Sequence, residues 1–468
     1  MSCNHYKLVI SNAHHQQLVA HLFPGDGLES AAILLCSKSS KYRLLVKKLL
    51  PIEYQACGVR LPDRIIWPGS SIEEAIDIAE VEELSIILIH SHPGGLFSFS
   101  ECDNKSDRHV MPSLFEGVSS PNVCFGSAIM TPDGAIKARI YTRDLEFEFV
   151  ESVHCASENL SIWRANENSP TQPLAFSSDM GQDLKSLTAC VVGVSGTGSV
   201  IAEQLARMGI GGLVLIDFDC IEHRNLNRIL NSTVEDANKK RYKTRMLADC
   251  IKLYREEIEI ECVENSINSR EAIEAAGKAD LLFCCVDSSE GRYICDQISS
   301  SFLMPLFDVG VTIPTRKTKC GGTAIADVYG RLDYVHPGAP SLYDRKVYTS
   351  ESLRKEYLHS VSPEDHDKQV AEGYLKGVVE EAPDVIALNM RAASACVMEF
   401  IMRRYPFRHE PNHMFSRTIF SLAACEEEFE SDSAFDCSQN PLIGSGLEEP
   451  LLGIPGLAKS RSSSREDI

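Results

Sequence analysis

The sequence predicts an α/β chain of two domains, and three observations carry that reading. At 468 residues the chain is too long for one ordinary hydrophobic core. In the first third, a short apolar run, Ser85-Ile86-Ile87-Leu88-Ile89, follows an amphipathic stretch, Ser71 to Glu80, so strand and helix patterns sit side by side. From Ala189 onward strand and helix patterns alternate, which predicts a mostly parallel, doubly wound sheet that takes a ligand at the carboxyl ends of its strands.

The first element with chemistry in it is Glu29-Ser30-Ala31-Ala32-Ile33-Leu34-Leu35, an apolar strand opened by a carboxylate. The Ser85–Ile89 strand then runs into His90-Ser91-His92-Pro93. Two residues apart near a strand end, His90 and His92 point to the same side. Asp103 arrives from the next element, and His90, His92 and Asp103 make three ligands for one divalent metal with a fourth position left for water. That is the arrangement of a catalytic zinc site rather than a closed structural one. Glu29 is the candidate base that takes a proton from the water and passes it to a leaving amine, and Ser100 is the candidate for stabilising the developing oxyanion. Ser100-Glu101-Cys102-Asp103 also fits a helix capping box, in which Ser100 caps and Asp103 reaches back.

A distant Glu, then H-S-H, seven residues, and S-x-x-D is a joint pattern. In it the chain resembles the JAB/JAMM metalloprotease family over residues 1–152. The resemblance implies a mixed, curved sheet with flanking helices, bound Zn²⁺, and an isopeptidase or peptidase that cuts after the C-terminal tail of a ubiquitin-like protein.

In the second half, Ala189-Cys190-Val191-Val192 reads as a buried strand running into the glycine-rich turn Gly193-Val194-Ser195-Gly196-Thr197-Gly198. A helix follows, with Val200, Ile201, Leu205 and Met208 on its apolar face and Gly209 placed to end it. Glycines there let the backbone approach a phosphate, and the helix N-terminus adds N–H donors. Leu213 to Ile216 is a second strand with Asp217 at its end, about 20 residues past the glycines, where a ribose hydroxyl is usually held. On these residues alone a nicotinamide dehydrogenase is a fair alternative. Asn225-Leu226-Asn227-Arg228 and Lys243 bring cations that suit a triphosphate better, and Asp287, after the strand Leu281 to Val286, can hold Mg²⁺ against phosphate oxygens.

Over residues 181–430 the chain is similar to the ubiquitin-activating-like adenylyltransferases, the ThiF/MoeB/HesA type. Position by position the resemblance implies that Gly193, Gly196 and Gly198 line the phosphates of ATP and Asp217 holds the ribose. Arg228 and Lys243 then contact the polyphosphate and Asp287 coordinates magnesium, with Asn225 and Arg292 in support. The segment Glu381 to Asn389 and the helix through Glu399 look like that family's closing helix. The implied reaction joins the C-terminal glycine carboxylate of a small ubiquitin-like, β-grasp protein to the α-phosphate of ATP. Three departures stand out. Ser195 replaces a glycine of the loop, the zinc-clamping C-x-x-C is absent at Pro337 to Tyr343, and Tyr374 stands where bacterial relatives carry a sulfur-accepting cysteine. Cys320, among Arg316, Lys317 and Lys319, and Cys425 are the thiols considered for a thioester, each reading first as an ordinary thiol.

Together these readings give a bifunctional enzyme of a bacterial ubiquitin-like pathway. The alternative is a sulfur-carrier-protein activating enzyme of cysteine or cofactor synthesis. Residues 153–180 are expected to be a linker, and 431–468 an acidic, then Ser-rich mobile tail. His359 and His366 read as surface residues. A net charge of −20 argues against nucleic acid as a partner. No apolar run nears the roughly 20 residues needed to span a bilayer, and no signal peptide is read. The 17 cysteines have no framework spacing, so a cytoplasmic protein with reduced thiols is expected. The resemblance also admits a conjugating-enzyme-like partner and a homodimer.

Overall fold

The computed structural model describes residues 5–167, 172–318, 321–361 and 385–459. It divides into two compact units: Met1–Gln172 with Ser301–Leu303 and Pro441–Ile468, and Pro173–Ser300 with Met304–Asn440.

The first unit runs β1 (Lys7–Ser11), α1 (Asn12–Leu22), β2 (Ala31–Ser40), β3 (Arg43–Pro51), β4 (Val59–Leu61), β5 (Arg64–Ile66), α2 (Ser70–Glu82), β6 (Ser85–Ser91), α3 (Glu101–Gly117), β7 (Phe125–Met130), β8 (Ile136–Tyr141), β9 (Phe147–Phe149), β10 (Ser152–Ala156) and β11 (Leu160–Arg164). Nine strands form one mixed sheet in the order β11-β10-β1-β3-β2-β6-β7-β8-β9, and β4 pairs with β5 alone. Both faces of the central strands are buried. Leu34, Ile87 and Ile89 pack on one side with Leu18 and Leu22 of α1, and Ile33, Leu35 and Ile86 on the other with Ala75, Ala79 and Met111 of α2 and α3. This explains why β2 and β6 read as continuous apolar runs instead of alternating ones.

The second unit runs α4 (Ser178–Leu184), β12 (Thr188–Val192), α5 (Gly196–Met208), β13 (Gly212–Ile216), α6 (Val234–Lys239), α7 (Lys243–Lys252), β14 (Glu259–Val263), α8 (Arg270–Ala276), β15 (Leu281–Cys284), α9 (Ser289–Ser301), β16 (Leu306–Thr312), β17 (Thr315–Lys317), β18 (Thr323–Ile325), β19 (Tyr329–Val335), α10 (Ser350–Val361), a further helix α11 (Ile386–Arg404), β20 (Arg417–Ser421) and β21 (Glu426–Glu430). The main sheet has the order β14-β13-β12-β15-β16-β19-β20-β21. Its first five strands are parallel and the last three antiparallel. Chain order reverses at β12, with β13 on one side and β15 on the other, which opens the crevice where α/β sheets take ligands. The Rossmann-like, doubly wound expectation thus holds, with an antiparallel extension added.

Two layout expectations are corrected. Residues 152–164 are the sheet hairpin β10–β11, turned at Ser157 to Asn159, so the polar stretch begins as structure and not as linker. Of the expected tail 431–468, residues 431–459 are also built in. Arg345 reaches Asp432 at 2.7 Å. The segment after Pro441 lies on β2 and β3, where Leu447 N donates to Lys38 O at 2.9 Å, Ser37 Oγ to Gly444 O at 2.5 Å, and Lys47 pairs with Glu448. Main-chain pairing leaves no hydrophobic period, which is why composition alone read as a tail. Among the described residues no helix is long and apolar enough to cross a membrane.

Asp296 on α9 is buried and accepts hydrogen bonds from Leu342 N, Tyr343 N and the Tyr348 hydroxyl. Burial outweighs these bonds and pushes its carboxyl up to about 6. The native carboxyl keeps a proton that the unfolded one loses, so its contribution to stability falls as pH rises from about 4 to about 6. Relative to non-titrating Asp296→Asn, wild type is expected to lose about 3 kcal/mol between about pH 4 and about pH 7. Denaturant midpoints across that range measure it, and a gap that moves the other way rejects the assignment.

Candidate functional sites

In the first unit the imidazoles come together as strand parity predicts. His90 is the penultimate residue of β6 and His92 follows the strand, with their Nε2 atoms 3.1 Å apart and both side chains nearly buried. His92 Nδ1 faces the Leu96 carbonyl at 2.8 Å, which fixes the proton on that nitrogen and leaves Nε2 with a free lone pair. Asp103 closes the group, with Oδ1 3.2 Å from His90 Nε2 and Oδ2 3.4 Å from His92 Nε2. Ligand atoms of Glu29, His90 and His92 lie within 4.8 Å of one another.

The capping box and the convergence on the imidazoles coexist in one side chain. Ser100 Oγ accepts from Asp103 N at 3.2 Å, and Ser100 N donates to Asp103 Oδ2 at 2.6 Å, so the box that starts α3 also aims the carboxylate at the histidines. Burial opposes ionisation of Asp103, yet its bonds to His90 and His92 hold the carboxyl far below the usual range. Burial also pushes the Glu29 carboxyl up, the two histidines offsetting only part of that. Glu29 sits two residues ahead of β2 instead of opening it. Arg60 pins it there, donating from Nε to Glu29 O at 3.0 Å and from Nη2 to Ser30 Oγ at 2.8 Å. In register, Ala31 opposes His90, which carries Glu29 to the histidine end of β6. Two imidazole lone pairs and two carboxylates facing each other in a nearly dry site repel unless a cation or protons lie between them, so this donor set can hold a metal ion.

The sequence did not reveal what holds α3. Asp107, one turn after Asp103, is buried and accepts from Arg139 Nη2 at 2.7 Å, from the Tyr141 hydroxyl at 2.9 Å and from Ser127. Arg139 also reaches Asn104 Oδ1 at 2.6 Å.

In the second unit, Gly193 has φ 85°, and its following residue Val194 donates N–H to Asp217 Oδ2 at 2.7 Å. A side chain on Gly198 would put Cβ 1.9 Å from Gly193 O, so the turn closes only with glycine there. Asp217 directly follows β13, its other oxygen accepting from Asp219 N at 2.9 Å. Burial pushes its carboxyl up, and Lys243 at 3.8 Å works against that. Lys243 starts α7 and also pairs with Asp219 at 2.7 Å, so this cation and the expected ribose acid share one cluster. Asn225 is buried, its Oδ1 accepting from Glu222 N, while Arg228 Cδ comes within 3.4 Å of the position a Gly196 Cβ would take. Asp287 is exposed three residues beyond β15, and its carbonyl accepts from Arg292 Nη1 at 3.2 Å. Arg292 in turn pairs with buried Asp308.

Glu399 on α11 is buried between Arg403 and Arg408. Cys425 is exposed at the turn between β20 and β21. His359 is exposed in α10. Cys320, His366, Tyr374 and Glu381 to Asp384 lie outside the described residues.

Comparison with known proteins agrees with both halves. The chain resembles the enzymes named ubiquitin-like modifier-activating enzyme 5 of Culex quinquefasciatus, 27% identical over 39% of this chain and 47% of that one, and of Drosophila melanogaster, 28% over 37% and 44%. It thus spans less than half the length of these curated relatives. Among solved structures, E. coli MccB with ATP aligns at a TM-score of 0.41, 18% identical over 54% of this chain and 65% of that one. A model of the prokaryotic homologs of the JAB domain matches residues 11–139. The ThiF family model matches residues 171–430, more than half of the 468 residues, and so the chain belongs to the ThiF family and carries a JAB-like domain on its N-terminal side.

Proposed function

We propose that the chain is a bifunctional enzyme of a ubiquitin-like pathway, adenylating the C-terminal glycine of a small ubiquitin-like protein and cutting amide bonds formed after that same tail. The observation that carries the reading is the pairing, in one chain, of a ThiF-type phosphate turn with a buried Glu, two His and Asp at ligand spacing.

His90, His92 and Asp103 would hold zinc. The Nε2···Nε2 separation of 3.1 Å is close to the edge of about 3.3 Å that bonds of about 2.05 Å make in a tetrahedral site, and Asp103 faces the two imidazoles through different oxygens, Oδ1 at 3.2 Å from His90 and Oδ2 at 3.4 Å from His92. Zinc supplies Lewis acidity toward a scissile carbonyl and lowers the pKa of water. Glu29, its carboxyl raised by burial, takes the proton of the attacking water and returns it to the leaving amine. The Ser100 oxygen accepts a backbone N–H, so its own proton is free to donate to the developing oxyanion.

In the second unit the glycine turn and the first N–H groups of α5 cradle phosphates, Asp217 receives the ribose, and Arg228 with Lys243 balances polyphosphate charge. The carboxylate of the incoming glycine attacks the α-phosphate, an acyl-adenylate forms and pyrophosphate leaves. Asp287, with Asn225 and Arg292 in support, would bring magnesium to the phosphates. A single exposed carboxylate suits that ion, which keeps its waters and takes the remaining oxygens from the nucleotide.

Asp287→Ala is expected to cut ATP–pyrophosphate exchange, driven by the ubiquitin-like partner, by about tenfold to a hundredfold. Zinc content should stay near one per chain. Exchange that survives the substitution removes Asp287 from the metal role, and a wild-type protein with neither zinc nor exchange removes the bifunctional reading.

A further inference from the structure

The glycine turn of the second unit is met by a polar group that the reading above does not use. Asn389 lies in the first turn of α11, and its side chain is 2% exposed. A Cβ on Gly196 would stand 2.3 Å from Asn389 Nδ2, so the carboxamide rests directly on the first residue of α5, beside the Arg228 stem. Its Oδ1 is buried and has no hydrogen-bond partner among the described residues.

Packing alone does not explain this choice. A leucine at 389 would fill a similar volume without burying an unsatisfied carboxamide, which costs free energy in the ligand-free protein. A glycine as the first residue of α5 also gives up helix propensity, which here makes room for the amide. The atoms next to the carboxamide are those of the start of α5, a helix end whose first N–H groups have no partner inside the helix, and of the Arg228 stem.

We propose that Asn389 is a nucleotide-binding residue, its NH₂ donating to a phosphate oxygen of bound ATP. The two ends of a carboxamide exchange by a half-turn of its last torsion, so the side chain can present NH₂ to the phosphate and its oxygen to the water that hydrates it. This assignment rests on the adenylation reading of the same site.

Isothermal titration of the full chain with Mg·ATP and with adenosine tests it. Asn389→Leu should weaken ATP binding by about tenfold to a hundredfold, leave adenosine binding at the wild-type value, and melt no lower than wild type. Asn389→Asp keeps the size but sets a carboxylate against the phosphates, so it should lose ATP at least as strongly while retaining adenosine, and it carries the test if the leucine variant does not fold. ATP affinity within about twofold of wild type in the folded variants overturns the assignment and leaves Asn389 as the seat of a structural water. Wild-type protein that binds no ATP overturns the adenylation reading itself, a result distinct from normal wild-type binding that the substitutions fail to change.

Discussion

Arg139→Met is expected to destabilise the N-terminal unit by about 3–5 kcal/mol, because it leaves a carboxylate buried without its cation. Arg139 on β8 is 1% exposed and Asp107 on α3 is 7% exposed. With the guanidinium gone, Asp107 keeps among the described residues only the hydroxyl donors of Tyr141 and Ser127. The guanidinium also lies 3.8 Å over the Phe99 ring, so the change removes a stacked contact next to Ser100. Burial decides the size of the effect. The exposed pair Lys239–Glu235, of similar length, should be worth well under 1 kcal/mol. Because Asn104 and Asp107 follow Asp103 within one turn of the same helix, loosening them should also lower metal affinity by about 10- to 100-fold. Calorimetric melting of the full chain with and without chelator reads both effects. An apolar replacement of both partners, Arg139→Met with Asp107→Leu, should recover much of the stability, since the cost lies in the stranded charge. A single-variant loss under about 1 kcal/mol, with unchanged metal affinity, would mean that this network does not hold the helix.

That network marks where reading from the sequence stops. His90 and His92 were legible because strand parity alone puts residues two apart on one side, and Asp103 because a cap fixes its direction relative to Ser100. The β12–glycine–α5 unit was legible for the same reason, with Gly198 demanded by the carbonyl of Gly193 five residues before it. Arg139 and Asp107 are 32 residues apart, and a lone arginine between apolar strand residues carries no sign of its partner. Asn389 and Gly196 are further apart still, and only the packing of α11 on α5 joins them. Arg60 was missed on similar grounds, since its bond to Glu29 goes to the main chain, and a main-chain acceptor leaves no mark in a sequence. The hairpin β10–β11 was misread because its turn residues, Ser157 and Asn159, are those of a linker, and its strands, such as Ser152-Val153-His154-Cys155-Ala156, are short and not strongly apolar.

Glu29→Gln is expected to lower peptidase turnover by about 10²- to 10⁴-fold while leaving one metal per chain and the fold intact. The change is isosteric and removes only the ability to take and return a proton. The backbone bonds that seat residue 29, to Leu61 O and from Arg60, do not involve the side chain and should persist. Burial already disfavours the charged carboxylate, so a neutral amide should melt no lower than wild type. His92→Ala is the opposing control. It removes a ligand whose Nδ1 is tied to Leu96 O, so metal and turnover should disappear together. Cleavage of a fluorogenic amide of the partner's C-terminal tail, measured beside metal content, separates the two cases. If Glu29→Gln keeps wild-type turnover with full metal occupancy, another group carries the proton. If it loses its metal, Glu29 is a ligand and not a base, and its ligand-distance approach to both histidines must be read as coordination.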